Sequence, residues 1–181
     1  MRIVSHREHR SAGPSAVPCA VVTISDTRDA ATDRSGAFLR RALEKAGHPV
    51  VDRRILKDEP RAIRAHLRRL AAGGRARAVL ITGGTGLARR DRTYEAVAAL
   101  LEKRLDGFGE IFRALSYERI GPAAMLSRAV AGTFRNMILF SLPGSENAVR
   151  LATRRLILPE LPHLVGLLDN AGRRKAGRSK R

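Results

Sequence analysis

A glycine-rich loop flanked by basic and acidic residues is the segment of this sequence best suited to chemistry. It spans Thr82–Gly86 (TGGTG) and is followed by Arg89, Arg90 and Asp91. Glycines permit positive φ angles and a close backbone approach, so that successive N–H groups can converge on an anion. Threonine hydroxyls and arginines add donors and positive charge, and a carboxylate at Asp91 can hold a hydrated Mg²⁺ against phosphate oxygens. The loop predicts a phosphate-binding site.

Three further polar residues follow predicted strands, and each has a structural alternative. Asp26 is an acidic turn residue, Asp58 is placed to cap a helix, and Ser145 either binds phosphate at a helix N-terminus or caps that helix. The structural alternative for the glycine-rich loop itself is a simple turn, with Asp91 capping the next helix. It is not a Walker A loop, because the Gly-Lys-Ser/Thr ending is missing.

The elements that must position these residues alternate between strand and helix. Short β-branched or apolar runs predict strands at Cys19–Ile24, Val50–Leu56 and 78–81, as in a buried parallel sheet. Helical spacing of apolar residues predicts helices at 35–46, after Asp58, after a Thr93 cap, at 107–116 and from about Glu146 to Leu158, where Pro159 and Pro162 end the last one. This order predicts an α/β three-layer sandwich with a mostly parallel sheet flanked by helices.

A hairpin is predicted near the C-terminal end of this pattern. The runs 129–133 and Met137–Leu142 are separated by 134–136, so that one strand of the sheet is expected to run antiparallel. The carboxyl ends of the parallel strands, where ligands bind in open α/β sheets, carry the Ser25–Asp26, Thr82–Thr93 and Pro143–Ser145 loops.

Composition and charge bound the class of protein. The tails 1–17 and 169–181 are predicted to be disordered and basic, and residues 18–168 to form one α/β domain. The tails carry +2 and +5 of the formal net charge of +18, which leaves +11 on the domain. A basic domain suits a phosphate-rich small molecule, whereas the absence of tryptophan and the few other aromatic residues argue against nucleic acid. No membrane span or signal sequence is predicted, and the single cysteine favours the cytoplasm.

At these residues the chain resembles the MoaB/MogA family of molybdenum-cofactor biosynthesis proteins. The match begins with the glycine-rich loop and the pattern Arg90-Asp91-x-Thr93-x-Glu95-Ala96. The further matching blocks, in the same order along the chain, are Ser25–Asp26, Gly107–Glu110, Ser127–Ala129 and Leu142–Ser145. The resemblance runs from about Val17 to Leu168, and the segments 115–121 and 127–132 are more similar to the MoaB branch.

The resemblance implies an adenylyltransferase with this fold. Family members adenylylate molybdopterin with MgATP and release pyrophosphate, so molybdopterin and ATP are the implied partners and Mg²⁺ accompanies ATP. Asp58 and Asp91 correspond to two aspartates implicated in catalysis, through Mg²⁺ and substrate positioning. The substrate-binding residues implied by position are Ser25, Asp26, Thr82, Gly83, Gly84, Thr85, Gly86, Arg90, Pro143, Gly144 and Ser145. The family also leads us to expect a homo-oligomer, either a trimer or a hexamer.

The chain departs from the family pattern at three positions, and functions other than adenylyl transfer are compatible with its sequence. Arg92 and Tyr94 stand where the family usually has valine and proline, and Lys57 stands where a proline is frequent. The main alternative is a non-catalytic protein of the MoaB branch that binds molybdopterin or a precursor. A nucleotide-processing enzyme of the competence-damage type and a basic nucleic-acid-binding module are the other two.

Overall fold

One mixed sheet organises the chain. The structure, a computed structural model, describes residues 13–178, with side chains through residue 169. The strands are β1 (Cys19–Ile24), β2 (Val50–Leu56), β3 (Ala78–Thr82), β4 (Lys103–Arg104), β5 (Val130–Phe134) and β6 (Met137–Leu142). The helices are α1 (Arg34–Lys45), α2 (Pro60–Gly73), α3 (Thr93–Ala98), α4 (Asp106–Ile120), α5 (Glu146–Ala152) and α6 (Leu158–Arg178).

The predicted fold class is confirmed. The strand order is β2-β1-β3-β6-β5-β4, and the first four strands are mutually parallel. β5 pairs antiparallel with both β6 and β4, so it is the strand that runs against the others, as the hairpin pattern predicted. The two-residue strand β4 was not predicted, because it is too short and too polar to show a period.

Two apolar cores cover the faces of the sheet. Side chains alternate along each buried strand: Val21 and Leu80 face one core, whereas Val22 and Ile81 face the other. The first core packs against α1, α4, α5 and α6, and the second packs against α2 and α3. This alternation accounts for the continuous apolar runs of β1, β3 and β6, because both faces of these strands are buried, whereas the edge strand β2 is polar and partly exposed.

The last helix does not end at the prolines. A π-helical turn spans Thr153–Ile157 and leads directly into α6, in whose first turns Pro159 and Pro162 lie. The N–H of Leu158 donates to the carbonyl of Thr153, five residues back. A wider turn tolerates the altered hydrogen-bond ladder that proline imposes, whereas the sequence interpretation assumed that the helix would stop.

The predicted domain boundaries also need correction. Val17 is fully buried, and its N–H donates to Nδ1 of His48 at 3.2 Å, so the folded region begins before residue 18. α6 continues to Arg178, although disorder was predicted from Asp169. The alanines, arginines and lysine of this segment are strong helix formers, and Asp169 pairs with Arg77 at 2.5 Å. Residues 1–12 and 179–181 of the predicted tails lie outside the described residues.

Cys19 lies inside the first core. Burial raises the pKa of its thiol to about 12, so the thiol stays protonated at neutral pH. Across residues 13–178, no helix combines the length and the apolar character needed to cross a membrane.

Candidate functional site

Four loops meet at the carboxyl edge of the parallel strands. β2, β1, β3 and β6 are adjacent in that order, so the loops that follow them lie side by side. Asp58, the Ser25–Asp26 turn, the Thr82–Thr93 loop and the Pro143–Ser145 turn are therefore brought to one edge, as the sequence predicted. Hydrogen bonds between these loops hold the edge together, and they assign different roles to the predicted residues.

Asp58 is a buried link between two loops. Its side chain is 4 % exposed and does not cap α2, which begins without a side-chain cap at Glu59. Instead, Oδ2 accepts from the backbone N–H of Arg92 and Oδ1 accepts from the hydroxyl of Thr93, each at 3.2 Å. The predicted cap by Thr93 is also wrong, because Thr93 donates its hydroxyl to Asp58. Asp58 thus ties the loop after β2 to the start of α3.

Burial controls the ionisation of Asp58. Desolvation raises the pKa of its carboxyl group above the ordinary 3.8, and the nearby negative charges of Asp91 and Asp26 raise it further. The hydrogen bonds from Arg92 and Thr93 act in the opposite direction and favour the ionised form. The balance between burial and these two hydrogen bonds therefore sets the charge of Asp58.

Both predicted catalytic carboxylates lie against the glycine-rich loop. A Cβ atom added at Gly84 would collide with Oδ2 of Asp58 and the hydroxyl of Thr93, and Gly84 has φ +63°. A Cβ atom added at Gly86 would lie 2.5 Å from Oδ2 of Asp91. Only glycine allows the two carboxylates to approach the loop this closely. The loop therefore brings Asp58 and Asp91 next to one segment of backbone.

The backbone N–H groups of the loop divide into used and free donors. The N–H of Gly83 donates to the carbonyl of Leu142 at 3.1 Å, so this group is not available to an anion. Within residues 13–178, the N–H groups of Gly84, Thr85 and Gly86 have no protein acceptor. Three successive free donors next to a positive-φ glycine have the arrangement that anion binding requires, so binding of an anion by this loop stays a prediction, with Gly83 N–H excluded from it.

Asp26 and Arg90 form an ion pair across the site. Arg90 donates from Nε to Oδ2 and from Nη2 to Oδ1 of Asp26, at 2.8 and 3.0 Å, and from Nη1 to Glu59 at 2.6 Å. The side-chain hydrogen bond from Arg90 and the backbone N–H of Asp58 hold the pKa of Asp26 below its ordinary value. Arg90, which was predicted to bind phosphate, is already bound to two carboxylates. These ion pairs join the loop after β3 to the loops after β1 and β2.

Thr82 and Pro143 join the loops after β3 and β6. Thr82 is fully buried, and its hydroxyl donates to the carbonyl of Pro143 at 2.9 Å. The prediction that this hydroxyl binds an anion is therefore wrong. Thr82 is the last residue of β3, which has a strand on each side, so its hydroxyl is buried and already bonded. Gly144 is packed so tightly that an added Cβ atom would lie 3.3 Å from Cα of Gly83.

The serines of the site have local partners. Oγ of Ser25 accepts from the N–H groups of Thr27 and Arg28, at 3.2 and 3.1 Å. Oγ of Ser145 accepts from the N–H of Ala148 at 3.3 Å and caps α5. Ser145 thus takes the helix-cap alternative, and its exposed hydroxyl keeps its proton for donation to a ligand.

Arg128 is a functional candidate that the sequence interpretation did not single out. Its guanidinium donates to the carbonyls of Thr85 and Gly86, at 2.8 and 2.5 Å, and to Glu95 at 2.5 Å. It also reaches the carbonyl of Asp91 at 3.5 Å. The available signal was its place in the Ser127–Ala129 block, which was noted as a match without a role.

The ring of Tyr94 contacts the guanidinium group of Arg128. The Arg128 guanidinium carbon lies 5.0 Å from the centroid of the Tyr94 ring, which favours a cation–π contact. The Tyr94 hydroxyl accepts from Arg104 at 3.3 Å. The departure from the family's proline thus adds an aromatic surface for the arginine that holds the glycine-rich loop.

The residues fit a cation that arrives with a substrate better than a resident metal. Within residues 13–169, no group of three or more His, Cys, Asp and Glu side chains is arranged to hold a metal ion. Asp91, which is half-buried, receives no side-chain hydrogen bond from any residue in that range. Mg²⁺ commonly binds through one or two carboxylates, water and substrate phosphates, a coordination that Asp91 beside the loop can join.

The fold and this edge define a molybdopterin-binding domain. Residues 20–163 match the family model described as a probable molybdopterin-binding domain. The molybdenum cofactor biosynthesis protein B of Halalkalibacterium halodurans is 50% identical over 163 residues, which cover 90% of this chain and 96% of that protein. The protein of the same name from Bacillus subtilis is 48% identical over 163 residues, with the same coverage.

Solved structures agree with the sequence relatives. A crystal structure of molybdenum cofactor biosynthesis protein B has a TM-score of 0.84 and 48% identity, covering 87% of this chain and 98% of that one. The tungsten cofactor synthesizing protein MoaB from Pyrococcus furiosus has a TM-score of 0.76 and 37% identity, covering 84% and 96%. The chain belongs to the MoaB/MogA family of molybdenum cofactor biosynthesis proteins, as the sequence motifs predicted.

Proposed function

We propose that this protein is a molybdopterin adenylyltransferase. The observation that carries the proposal is the position of two carboxylates, Asp58 and Asp91, against one glycine-rich loop with free N–H donors. In the proposed reaction, a terminal phosphate oxygen of molybdopterin attacks the α-phosphorus of ATP. The bond between the α-phosphorus and its bridging oxygen breaks, and pyrophosphate leaves with that oxygen.

The glycine-rich loop is suited to hold a phosphate group in this reaction. The free N–H groups of Gly84, Thr85 and Gly86 can donate to its oxygens without displacing any internal hydrogen bond. Transfer to phosphorus needs aligned anions and compensated charge more than it needs a protein nucleophile. The loop would supply alignment: Arg128 donates to its Thr85 carbonyl on one side, and Asp58 lies against Gly84 on the other.

The two aspartates have different parts in this proposal. The Asp91 carboxylate has no donor among the described side chains, so it is available to the Mg²⁺ that accompanies ATP. Bound Mg²⁺ neutralises charge that builds up on the phosphate oxygens. Both oxygens of Asp58 are engaged by Arg92 and Thr93, so Asp58 chiefly positions the loop and contributes negative charge beside Asp91.

A binding protein without transferase activity is the second candidate. Arg90, which the sequence predicted to bind phosphate, is neutralised by Asp26 and Glu59, and Asp58 is committed to structural hydrogen bonds. These contacts favour a preformed site for a bound pterin over a site that must compensate the charge of a triphosphate. The basic nucleic-acid-binding module gains no such observation.

One assay separates the two candidates. The purified protein is incubated with molybdopterin, ATP and Mg²⁺, and adenylylated pterin and pyrophosphate are detected by mass spectrometry and enzymatic coupling. Formation of both products in equal amounts is expected. Saturable pterin binding without either product would establish the binding protein instead.

We also propose that the protein acts as a homo-oligomer, a trimer or a hexamer, in the cytoplasm. Four large apolar side chains are exposed over the last turn of α4 and the turn that follows it: Tyr117, Ile120, Met125 and Leu126. Several exposed apolar side chains close together in the sequence favour an association surface here. Light scattering coupled to size exclusion should give a multiple of the 19.8 kDa chain, and Ile120→Glu with Met125→Glu should give the monomer.

A further inference from the structure

A cationic cavity lies on the helical layer away from the candidate site. It has a volume of about 660 Å³ and lies between α1 on one side and α5, the π turn and α6 on the other. Its lining includes Phe38, Arg41, Lys45, Arg150, Arg154 and Leu158. A cavity of roughly 300–1,000 Å³ has the size of a small-molecule site. Arg41 and Lys45 lie roughly 10–17 Å along α1 from its start at the carboxyl edge, so this cavity is separate from the glycine-rich loop.

Two of the three arginines of the cavity lie over an aromatic ring. The guanidinium carbons of Arg150 and Arg154 lie 4.4 and 5.5 Å from the centroid of Phe38. Arg150 is held further by Glu146, which accepts from its Nε and Nη2 at 2.9 and 2.6 Å. Guanidinium groups whose geometry is set before binding lose less conformational freedom when they bind an anion.

Positive charge in this cavity is not balanced by the surrounding side chains. Within residues 13–169, no salt bridge joins Arg41, Lys45 or Arg154 to a carboxylate, and the acid on this wall, Glu146, is bonded to Arg150 and also attracts Arg41. Arg41 and Lys45 are four residues apart on one helix, as are Arg150 and Arg154. Like charges at this spacing repel one another, and an anion bound between the helices would relieve that repulsion.

The chemistry of the lining selects the class of ligand. Arginine forks bind phosphate oxygens in pairs, and the excess of cations over acids favours a ligand with several negative charges. Ala42, Ala46 and Leu158 offer apolar contact beside the guanidinium groups. We propose that this cavity binds a small polyanion of the di- or triphosphate class, at a site distinct from the glycine-rich loop. This assignment does not depend on the proposed transferase activity.

A fluorescent reporter can test the cavity directly. The chain contains no tryptophan, so Leu158→Trp places its single tryptophan in the cavity wall, where it can be excited selectively over the two tyrosines. The probe is inorganic tripolyphosphate, added at constant ionic strength of about 0.15 M so that general charge screening does not change. We expect a saturable change in emission. Its absence, or a change produced by heparin but not by tripolyphosphate, would overturn the proposal, and the latter result would indicate an extended macromolecular partner.

Matched charge variants locate the binding event. Arg41→Ala with Arg154→Ala should weaken tripolyphosphate binding about tenfold or more, because two guanidinium contacts are lost. The control, Arg61→Ala with Arg68→Ala, removes the same charge from exposed positions of α2 on the opposite layer, and should change the affinity by less than about twofold. Calorimetric titration of both pairs without the reporter repeats the comparison in case Leu158→Trp disturbs folding. Equal losses in the two pairs would show a general charge effect and refute the site.

Discussion

The hydroxyl of Thr93 donates a hydrogen bond of 3.2 Å to Oδ1 of Asp58, a residue 35 positions earlier in the chain. Both residues are buried, and the same carboxylate accepts the N–H of Arg92 through its other oxygen. One side chain thus closes the loop after β3 onto the loop after β2. The candidate site is built around this contact, since the glycine-rich backbone passes directly against it.

Gly84→Ala should disrupt the site through a close approach, and Gly74 provides a matched control. Both glycines have φ +63°, but an added Cβ atom at Gly84 would collide with Asp58, whereas one at Gly74 would meet nothing within 4 Å. Gly74→Ala should cost only the backbone strain of about 1–2 kcal/mol. Gly84→Ala should lower the free energy of unfolding further and abolish pterin binding, measured by denaturant titration and calorimetry. Equal costs at the two positions would contradict the close-approach argument.

Asp58→Asn should change how stability depends on pH. The pKa of Asp58 is raised in the folded protein, so the fold favours the protonated form, and its deprotonation lowers stability as pH rises from about 3.8 through the raised pKa. The asparagine variant lacks this loss. Its free energy of unfolding relative to the parent should therefore increase across that window and then level off.

The comparison with the parent protein separates the effect of Asp58 from that of Asp26, because Asp26 is present in both proteins. The lowered pKa of Asp26 changes the pH dependence of stability with the opposite sign. Asp58→Ala should be less stable by about 1–3 kcal/mol, because Arg92 N–H and the Thr93 hydroxyl lose their acceptor. Adenylyl transfer should fall about 10²-fold in Asp58→Asn while pterin binding is kept. A parallel pH profile for the parent and Asp58→Asn would show that burial does not shift this carboxyl group.

Asp91→Asn should keep the fold and remove most adenylyl transfer. The Asp91 carboxylate accepts no side-chain hydrogen bond from residues 13–169, so its loss should leave the unfolding free energy within about 0.5 kcal/mol of the parent. Loss of a group that holds or positions Mg²⁺ should reduce turnover about 10²-fold or more. Glu44→Gln, which removes the same charge from an exposed position on α1, is the control and should retain full activity. Turnover near that of the parent in Asp91→Asn would refute its assigned role.

Arg128→Lys should separate charge from geometry. Lysine retains the positive charge but cannot reach the carbonyls of Thr85 and Gly86 and the Glu95 carboxylate together, as the planar guanidinium does. We expect a loss in kcat/KM of about tenfold, with a loosened loop detected by faster amide exchange at residues 84–86. Arg68→Ala, an exposed change on α2, should affect neither measurement. Unchanged exchange in Arg128→Lys would mean that other contacts hold the loop.

Much of the architecture was predictable because it depends on local patterns of apolar and polar residues. The run from Cys19 to Ile24 is apolar on both faces, as a central parallel strand must be, and the hairpin turn at Arg135 follows from two strands separated by a short linker. The glycine-rich loop and the aspartates were found for the same reason: their chemistry depends on residue type and on position after a strand. The end of the last helix was not predictable, because the π turn that accommodates Pro159 leaves no mark in the apolar spacing.

The sequence by itself determined that Asp26, Asp58, Asp91 and the Thr82–Gly86 loop share one edge, since parallel strands end together. Only the tertiary structure decided what each of them does there. Asp58 faces Thr93 instead of capping its own helix, Arg90 is taken by Asp26 and Glu59, and Arg128 holds the loop from 42 residues away. The physical reason is that the sequence offers each of these side chains several possible hydrogen-bond partners. Which partner it binds depends on distances that the packing of the sheet and helices fixes.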